Sequence, residues 1–374
     1  MKIAVNARFL LKGKLEGIGW YSFEVLRRLV AMRPEDEFIF FFDRAYDEAF
    51  IFADNVSGVV VAPPARHPFL WYLWFEWAIP RQLKKYQADI FISPDGYCSL
   101  STDTPTLMVV HDIAHHHFPE QVPFLVRSYY NYFVPRYLRK AKKILTVSEY
   151  TQSDIIKTYG IRPEKIRVAP NGCRDSFQPI SDKQKKDIRS QFSEGQPYFF
   201  YAGAVHPRKN VHRIITAFDQ FKKRTKSPIK LLIGGRFAWQ TGPVKTAFDE
   251  ATHQSDIHFP GYLEDEVLPL LTAGAIAMVY PSQFEGFGLP VLEAMQAGTP
   301  VITSNVSSLP EVCGDAGILV SPTDTEAISY AMEKVYTDKN LAREMSQKGL
   351  LRSQKFSWDQ TAKAMSEVLS TPPA

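Results

Sequence analysis

Cysteine is scarce in this chain of 374 residues: Cys98, Cys173 and Cys313 stand far apart, odd in number and without a C-x-x-C pair. That argues against a disulfide framework or a cysteine zinc site and fits a reducing, cytoplasmic compartment. An excess of one charge is lacking too. Forty-four Lys and Arg against 40 Asp and Glu leave +4, and residues 1–170, with 22 basic and 18 acidic side chains, hold all of it. A dedicated nucleic-acid binder needs more, so no nucleic-acid partner is expected. No apolar run reaches the roughly 18 residues of a membrane span. The N-terminus turns polar after three apolar residues, which reads as a strand and not as a secretory signal.

What is present is length and alternation. A chain this long exceeds one ordinary core and suits two, at roughly 100–200 residues per domain. Short apolar runs at 3–5, 38–42, 59–61, 89–93, 107–110 and 144–147 alternate with stretches of helical period. After Pro170-Asn171-Gly172, a turn signal, and a charged helix-like stretch at 181–193, the rhythm resumes at 198–201, 230–233, 257–259, 275–280, 301–304 and 317–320. The pattern predicts an α/β fold of two tandem Rossmann-like, doubly wound parallel-sheet domains, with ligands at the carboxyl ends of the strands. The expected division is a first domain at 1–170, a linker at 171–196, a second domain at 197–355 and a last helix at 356–374. That helix opens on the capping box Ser357-Trp358-Asp359-Gln360 and puts Trp358, Ala362, Met365, Val368 and Leu369 on one face. Either domain could bury it.

The richest segment runs from Tyr280 to Pro300 and reads as strand, glycine loop, helix. Pro290 suits a first helical turn, and Leu289 before it is a poor cap, so the first amides are left for an anion. Gly286 and Gly288, flanking Phe287, would let a phosphate approach the backbone closely. Glu285 precedes the loop and Glu293 is expected in the first helical turn, both able to accept hydrogen bonds from hydroxyls. Each Glu alone could be an ordinary solvated charge; their conjunction with an uncapped helix start favours a ligand bearing phosphate and polyol parts.

Gly203 closes another strand, and Arg208-Lys209-Asn210 follow at the start of an amphipathic helix. Cations there oppose the helix dipole, so an anion should compensate: Arg208 can grip phosphate oxygens bidentately while Lys209 acts as a point charge. His111-Asp112 ends a buried-type strand, as a functional pair or as a satisfied core histidine. His115, His116 and His117 are adjacent and so point apart, and no metal site is expected. Gly17 and Gly19 are placed in a mobile, ligand-contacting loop between the first strand and the first helix, without the G-x-G-x-x-G spacing of a dinucleotide site.

In this order and spacing the motifs resemble retaining glycosyltransferases of family 4, along nearly the whole chain. The carrying residues are Glu285 and Glu293 in a Glu-x7-Glu element, Gly203 with Arg208-Lys209-Asn210, Pro170-Asn171-Gly172, and His111-Asp112. The resemblance implies the GT-B fold with an interdomain cleft, a nucleotide-diphosphate sugar as donor substrate, no cofactor and no metal. By it Glu285 would bind donor-sugar hydroxyls, Glu293 the ribose, Arg208 and Lys209 the diphosphate, with backbone from Gly286 to Leu289 completing the phosphate site. His111 would face the donor sugar, Gly17 and Gly19 would belong to the family's glycine loop, and the last helix would return to the first domain.

No residue declares itself as the nucleophile of a double displacement, so a same-face substitution is preferred, the departing phosphate taking the acceptor's proton. The run from His111 to Pro119 resembles that of mannosyl-transferring relatives, which favours GDP-mannose over UDP-sugars. A nucleotide-sugar epimerase or phosphorylase of the same fold, or a non-catalytic sugar-nucleotide-binding subunit, are the alternatives; a silent subunit should have lost Glu285, Lys209 or His111. The acceptor would be a glycan or a lipid-linked sugar. Trp71, Trp74 and Trp77 with flanking cations could lie at the inner face of a membrane, or form a core helix against the first sheet.

Overall fold

The chain is described by a computed structural model for residues 1–235 and 242–370; positions 371–374, the end of the expected last helix, lie outside the described residues. Two parallel sheets are formed. The first unit holds β1 (Lys2–Asn6), β2 (Glu37–Phe42), β3 (Val56–Val60), β4 (Ile90–Ser93), β5 (Thr106–Val110), β6 (Lys143–Thr146) and β7 (Ile166–Val168), in the order β3-β2-β1-β4-β5-β6-β7. The second holds β8 (Tyr198–Ala202), β9 (Lys230–Gly234), β10 (Ile257–Gly261), β11 (Ala277–Tyr280), β12 (Val301–Ser304) and β13 (Gly317–Val320), in the order β10-β9-β8-β11-β12-β13. Central strands buried on both faces, such as β1, β2 and β8, read as unbroken apolar runs for that reason. Strand order reverses between β1 and β4 and again between β8 and β11, and such switch points are where doubly wound sheets collect ligands.

Chain contacts divide the molecule into one unit of Met1–Gly172 with Ser357–Ala374 and another of Cys173–Phe356. The stretch 171–196, read as a linker, is therefore corrected: from Cys173 onward it is part of the second unit. Its helix Asp182–Phe192, closed by a Ser181–Gln184 capping box, buries Ile188 and sends Arg189 to the Gly274 carbonyl. Charge along its outer face disguised a packed element as a spacer.

The last helix, Trp358–Ser370, packs on helix Gly17–Met32 of the first unit and buries Trp358, Ala362, Met365 and Leu369. The Trp358 indole meets the Tyr21 ring edge-on at 5.9 Å, and Arg28 reaches Asp359 at 2.7 Å. The Ser357 hydroxyl accepts from the Asp359 amide, one residue earlier than the capping-box pattern implies.

A second correction concerns Gly17 and Gly19. Neither lies in a loop: helix Gly17–Met32 already includes both, with Glu16 at its cap position. Gly19 is buried, and a Cβ there would sit 2.9 Å from the Phe9 carbonyl oxygen, so it lets the helix pack against the preceding segment.

Candidate active site

At the carboxyl ends of β8 and β11 in the second unit, two loops meet. The turn Pro207–Lys209 follows Gly203, and its Arg208 carbonyl accepts from the Gln283 amide at 2.8 Å and from the Ser282 hydroxyl at 3.1 Å. Asn210, in the left-handed conformation and fully buried, donates to the carbonyls of Pro281 and Pro322, which fixes where the following helix starts. So the cation-bearing turn and the glycine loop are tied by backbone and side chain before any ligand arrives.

Within this frame Lys209 Nζ lies 2.5 Å from Glu285 Oε1 and donates to the Tyr280 hydroxyl at 2.7 Å; that hydroxyl donates to Glu285 Oε1 at 2.9 Å. Burial works to raise the Glu285 carboxyl, but Lys209 and Arg208 outweigh it and hold it below the ordinary carboxylate range. The outcome is a buried carboxylate kept charged by two cations, one of which it touches.

Helix Leu289–Gln296 begins just beyond. Its cap position is Gly288, not Leu289, at φ 103°, and among the described residues no side-chain cap bond forms there. A Cβ at Gly288 would stand 2.6 Å from a Leu309 methyl carbon, so glycine is required by conformation and by space. The loop is braced from behind: the Ser308 hydroxyl donates to the carbonyls of Glu285 and Phe287, and the Glu285 amide donates to Ser307. Phe287 is buried, its ring edge-on to Phe356 at 5.6 Å.

Glu293 is corrected from the first turn to the second, being the fifth residue of its helix. It is buried beside Arg174, whose Nη2 donates to its Oε1 at 3.1 Å while Nη1 donates to Asp265 at 2.9 Å. Burial raises the Glu293 carboxyl, and Arg174 opposes it without winning. Arg174 and Tyr280 were missed by sequence reasoning. Tyr280 had the signal of being the last residue of a strand at a switch point; Arg174, 119 residues from its partner, had none.

In the first unit His111 follows the end of β5. Its Nε2–H donates to the Pro94 carbonyl at 2.8 Å, leaving Nδ1 as an acceptor, and its ring lies edge-on to Tyr21 at 4.8 Å. Burial lowers its pKa, so it is a neutral imidazole at physiological pH. Asp112 caps the short turn behind it by accepting from the Ala114 amide. Of the three neighbouring histidines, His115 packs on Tyr130, His116 on Tyr159, and His117 pairs with Asp154 at 2.9 Å. At the first unit's own switch point Arg8 and Asp95, both buried, form a 2.6 Å ion pair completed by Asn6 and Ser93, a constellation that the sequence did not announce.

Comparison with known proteins assigns these features to a lineage. Residues 15–177 match the family Glycosyltransferase Family 4, and residues 182–352 match Glycosyl transferases group 1. The O-antigen chain mannosyltransferase B of Escherichia coli is 31% identical over 360 residues, covering 93% of this chain and 94% of that protein. Among solved structures, WaaG, a glycosyltransferase involved in lipopolysaccharide biosynthesis, superposes with a TM-score of 0.77 at 16% identity, both chains covered in full. Anabaena Alr3699/HepE in complex with UDP and glucose gives 0.76 at 19% identity over 99% of each chain. Kinship along nearly the whole sequence and the shared GT-B architecture of two parallel-sheet units make this chain a member of glycosyltransferase family 4.

Proposed function

We propose that this glycosyltransferase moves a hexose, mannose by preference, from a nucleotide-diphosphate sugar to a glycan or lipid-linked acceptor, with retention of configuration and without a metal or other cofactor. The observation that carries the reading is the Lys209–Tyr280–Glu285 cluster beside an uncapped helix start. In it a carboxylate able to accept from sugar hydroxyls and cations able to take a diphosphate share one spot. Arg208, Lys209 and the amides from Gly286 to Leu289 would receive the charge that grows on the departing phosphate. Glu285 would orient the sugar. Glu293, with Arg174 on one oxygen, would keep the other for ribose hydroxyls. His111, neutral and with Nδ1 as acceptor, would meet a donor-sugar hydroxyl. Same-face substitution remains the preferred path, the leaving phosphate accepting the proton of the attacking hydroxyl.

The mannose preference leans on the name of the Escherichia coli relative and on the His111–Pro119 run. GDP-mannose is accordingly the first donor to try, UDP-glucose the second. The three buried, unpaired thiols suit a cytoplasmic enzyme. A contact with the inner membrane face would bring the enzyme to a lipid-linked acceptor. Thermal stabilisation by GDP-mannose and UDP-sugars is the first measurement, a ligand at a hundredfold its Kd adding about 2.7 kcal/mol. Glu285→Gln and Lys209→Ala are expected to lose at least about a hundredfold in transfer at a temperature where each, though less stable than the wild type, is still folded by melting curve. Near-normal turnover by either variant with every donor would overturn the reading.

A further inference from the structure

Among the described residues of the first unit, every exposed Phe, Tyr or Trp lies on two neighbouring elements. Phe69, Tyr72 and Trp77 come from the helical run that begins at Pro68, and Phe124 and Tyr132 from helix Phe124–Lys140. The elements touch: Trp71 stacks on Tyr130 at 6.1 Å, and Tyr72 meets Phe133 at the same distance. Trp77 is 51% and Phe124 70% exposed, while the inner face of the tryptophan-rich run, Trp74, Phe75, Ile79 and Leu83, belongs to the core as a helix against the first sheet would. A wide turn at Trp74–Ala78 produces this arrangement. Its extra residue per turn keeps Trp74, Phe75 and Glu76 inside while Trp77 points out, and such insertions often mark function.

The same surface is cationic. Residues 66–86 carry four Lys and Arg and residues 124–143 carry six. Their only acid, Glu76, is buried and accepts from the Leu100 amide and the Ser101 hydroxyl. Among the described residues none of the ten pairs with a carboxylate, whereas Arg27, Arg33 and Arg44 of the same unit each do. Guanidinium groups lie over the exposed rings: Arg81 over Trp77 at 5.4 Å, Arg127 over Phe124 at 5.7 Å, Arg136 over Tyr132 at 3.7 Å.

We propose that this face docks on an anionic phospholipid bilayer, rings at the boundary between headgroups and acyl chains and guanidinium groups on lipid phosphates. Charge complementarity selects this occupant. A second copy of the chain would set ten unpaired cations against ten more, whereas a phosphate-bearing surface neutralises them and accepts the rings together. The inference gives the membrane contact suggested above a definite face, but it stands on the surface chemistry of one unit and not on the transfer reaction. A chain that transfers sugar yet ignores vesicles sinks it while leaving the enzyme's activity intact.

The test is co-sedimentation of the full chain with vesicles of phosphatidylcholine alone or with one third phosphatidylglycerol, in about 0.05 M and about 0.5 M salt. Retention at low salt is expected to be at least about tenfold greater on the anionic vesicles and to fall at high salt. Arg81→Glu/Arg136→Glu, at exposed positions, should abolish it. Trp77→Ser/Phe124→Ser should weaken it about tenfold, with melting curves checking that the fold survives. Absent retention at low salt, equal retention on neutral vesicles, or undiminished retention by the charge-reversed variant would each overturn the proposal. So would an exposed-ring-dependent dimer on sizing, or binding of a single-stranded RNA in place of the vesicles.

Discussion

Lys209 and Glu285 keep each other charged inside the second unit, and a pair of that kind is costly to halve. Removing Lys209 leaves a buried carboxylate without its contacting cation, so Lys209→Met should destabilise by about 3–5 kcal/mol in urea unfolding. With Glu285→Gln added, the loss should be smaller than the sum of the two single losses; strict additivity would deny the coupling. The pH dependence has a definite sign. Because the Glu285 pKa lies below the ordinary 4.5, its contribution is fully present above that value and disappears as pH falls through the lower folded-state pKa. The stability gap between wild type and Glu285→Gln should therefore be level near neutrality and close in acid; a gap that widens in acid would contradict it. Glu285 and Lys209 were legible because a carboxylate beside glycines and a cation pair after Gly203 are local patterns. Tyr280 was legible only by its place at a strand end, where a tyrosine also looks like core, and Arg174 was not, since a partner over a hundred residues away leaves no local trace.

Elements were legible where burial wrote a run of apolar residues, and obscure where it did not. Twelve strands carry a short apolar run, although in β3, β10 and β13 most of it is only half-buried or exposed. But β7 is three residues long with an exposed Arg167 between two apolar neighbours, too short to stand out. Periodicity likewise could not fix where helix Gly17–Met32 starts, because its first residues, Gly-Ile-Gly, read as loop chemistry. Nor could it decide which face of the tryptophan-rich run is buried: Trp74 is core and Trp77 is surface, since a wide turn breaks the helical period between them. The start of helix Leu289–Gln296 allows a direct check. Gly288→Ala brings a Cβ to 2.6 Å from Leu309 at a left-handed φ, and should cost about 1–3 kcal/mol and weaken nucleotide-sugar binding. An alanine variant with unchanged melting temperature and unchanged ligand stabilisation would show the glycine to be dispensable.

At the scale of the molecule, the first unit is built from two stretches of chain that the second unit separates. Trp358, Met365 and Leu369 are buried through a helix that arrives only after the whole second unit, and burying such side chains is worth about 1.5–3 kcal/mol each. Their sum approaches the entire stability of a typical domain. A chain ending at Phe356 should thus lose the calorimetric transition of the first unit, or show it at a much lower temperature, while that of the second unit stays; two unchanged transitions would refute this. A Cβ on Gly172 would lie 2.1 Å from the Trp358 amide, so the seam has no slack for a side chain.

Ribosomal synthesis meets this arrangement in an awkward order. The second unit has all of its residues by Phe356 and can fold as they emerge, while the first, begun much earlier, must wait with Tyr21 and its surroundings uncovered until helix Trp358–Ser370 leaves the exit tunnel. During that interval the nascent protein offers a sticky helix to chaperones and to neighbouring chains. Slower translation of the later half would lengthen the exposure without altering a single contact of the finished protein.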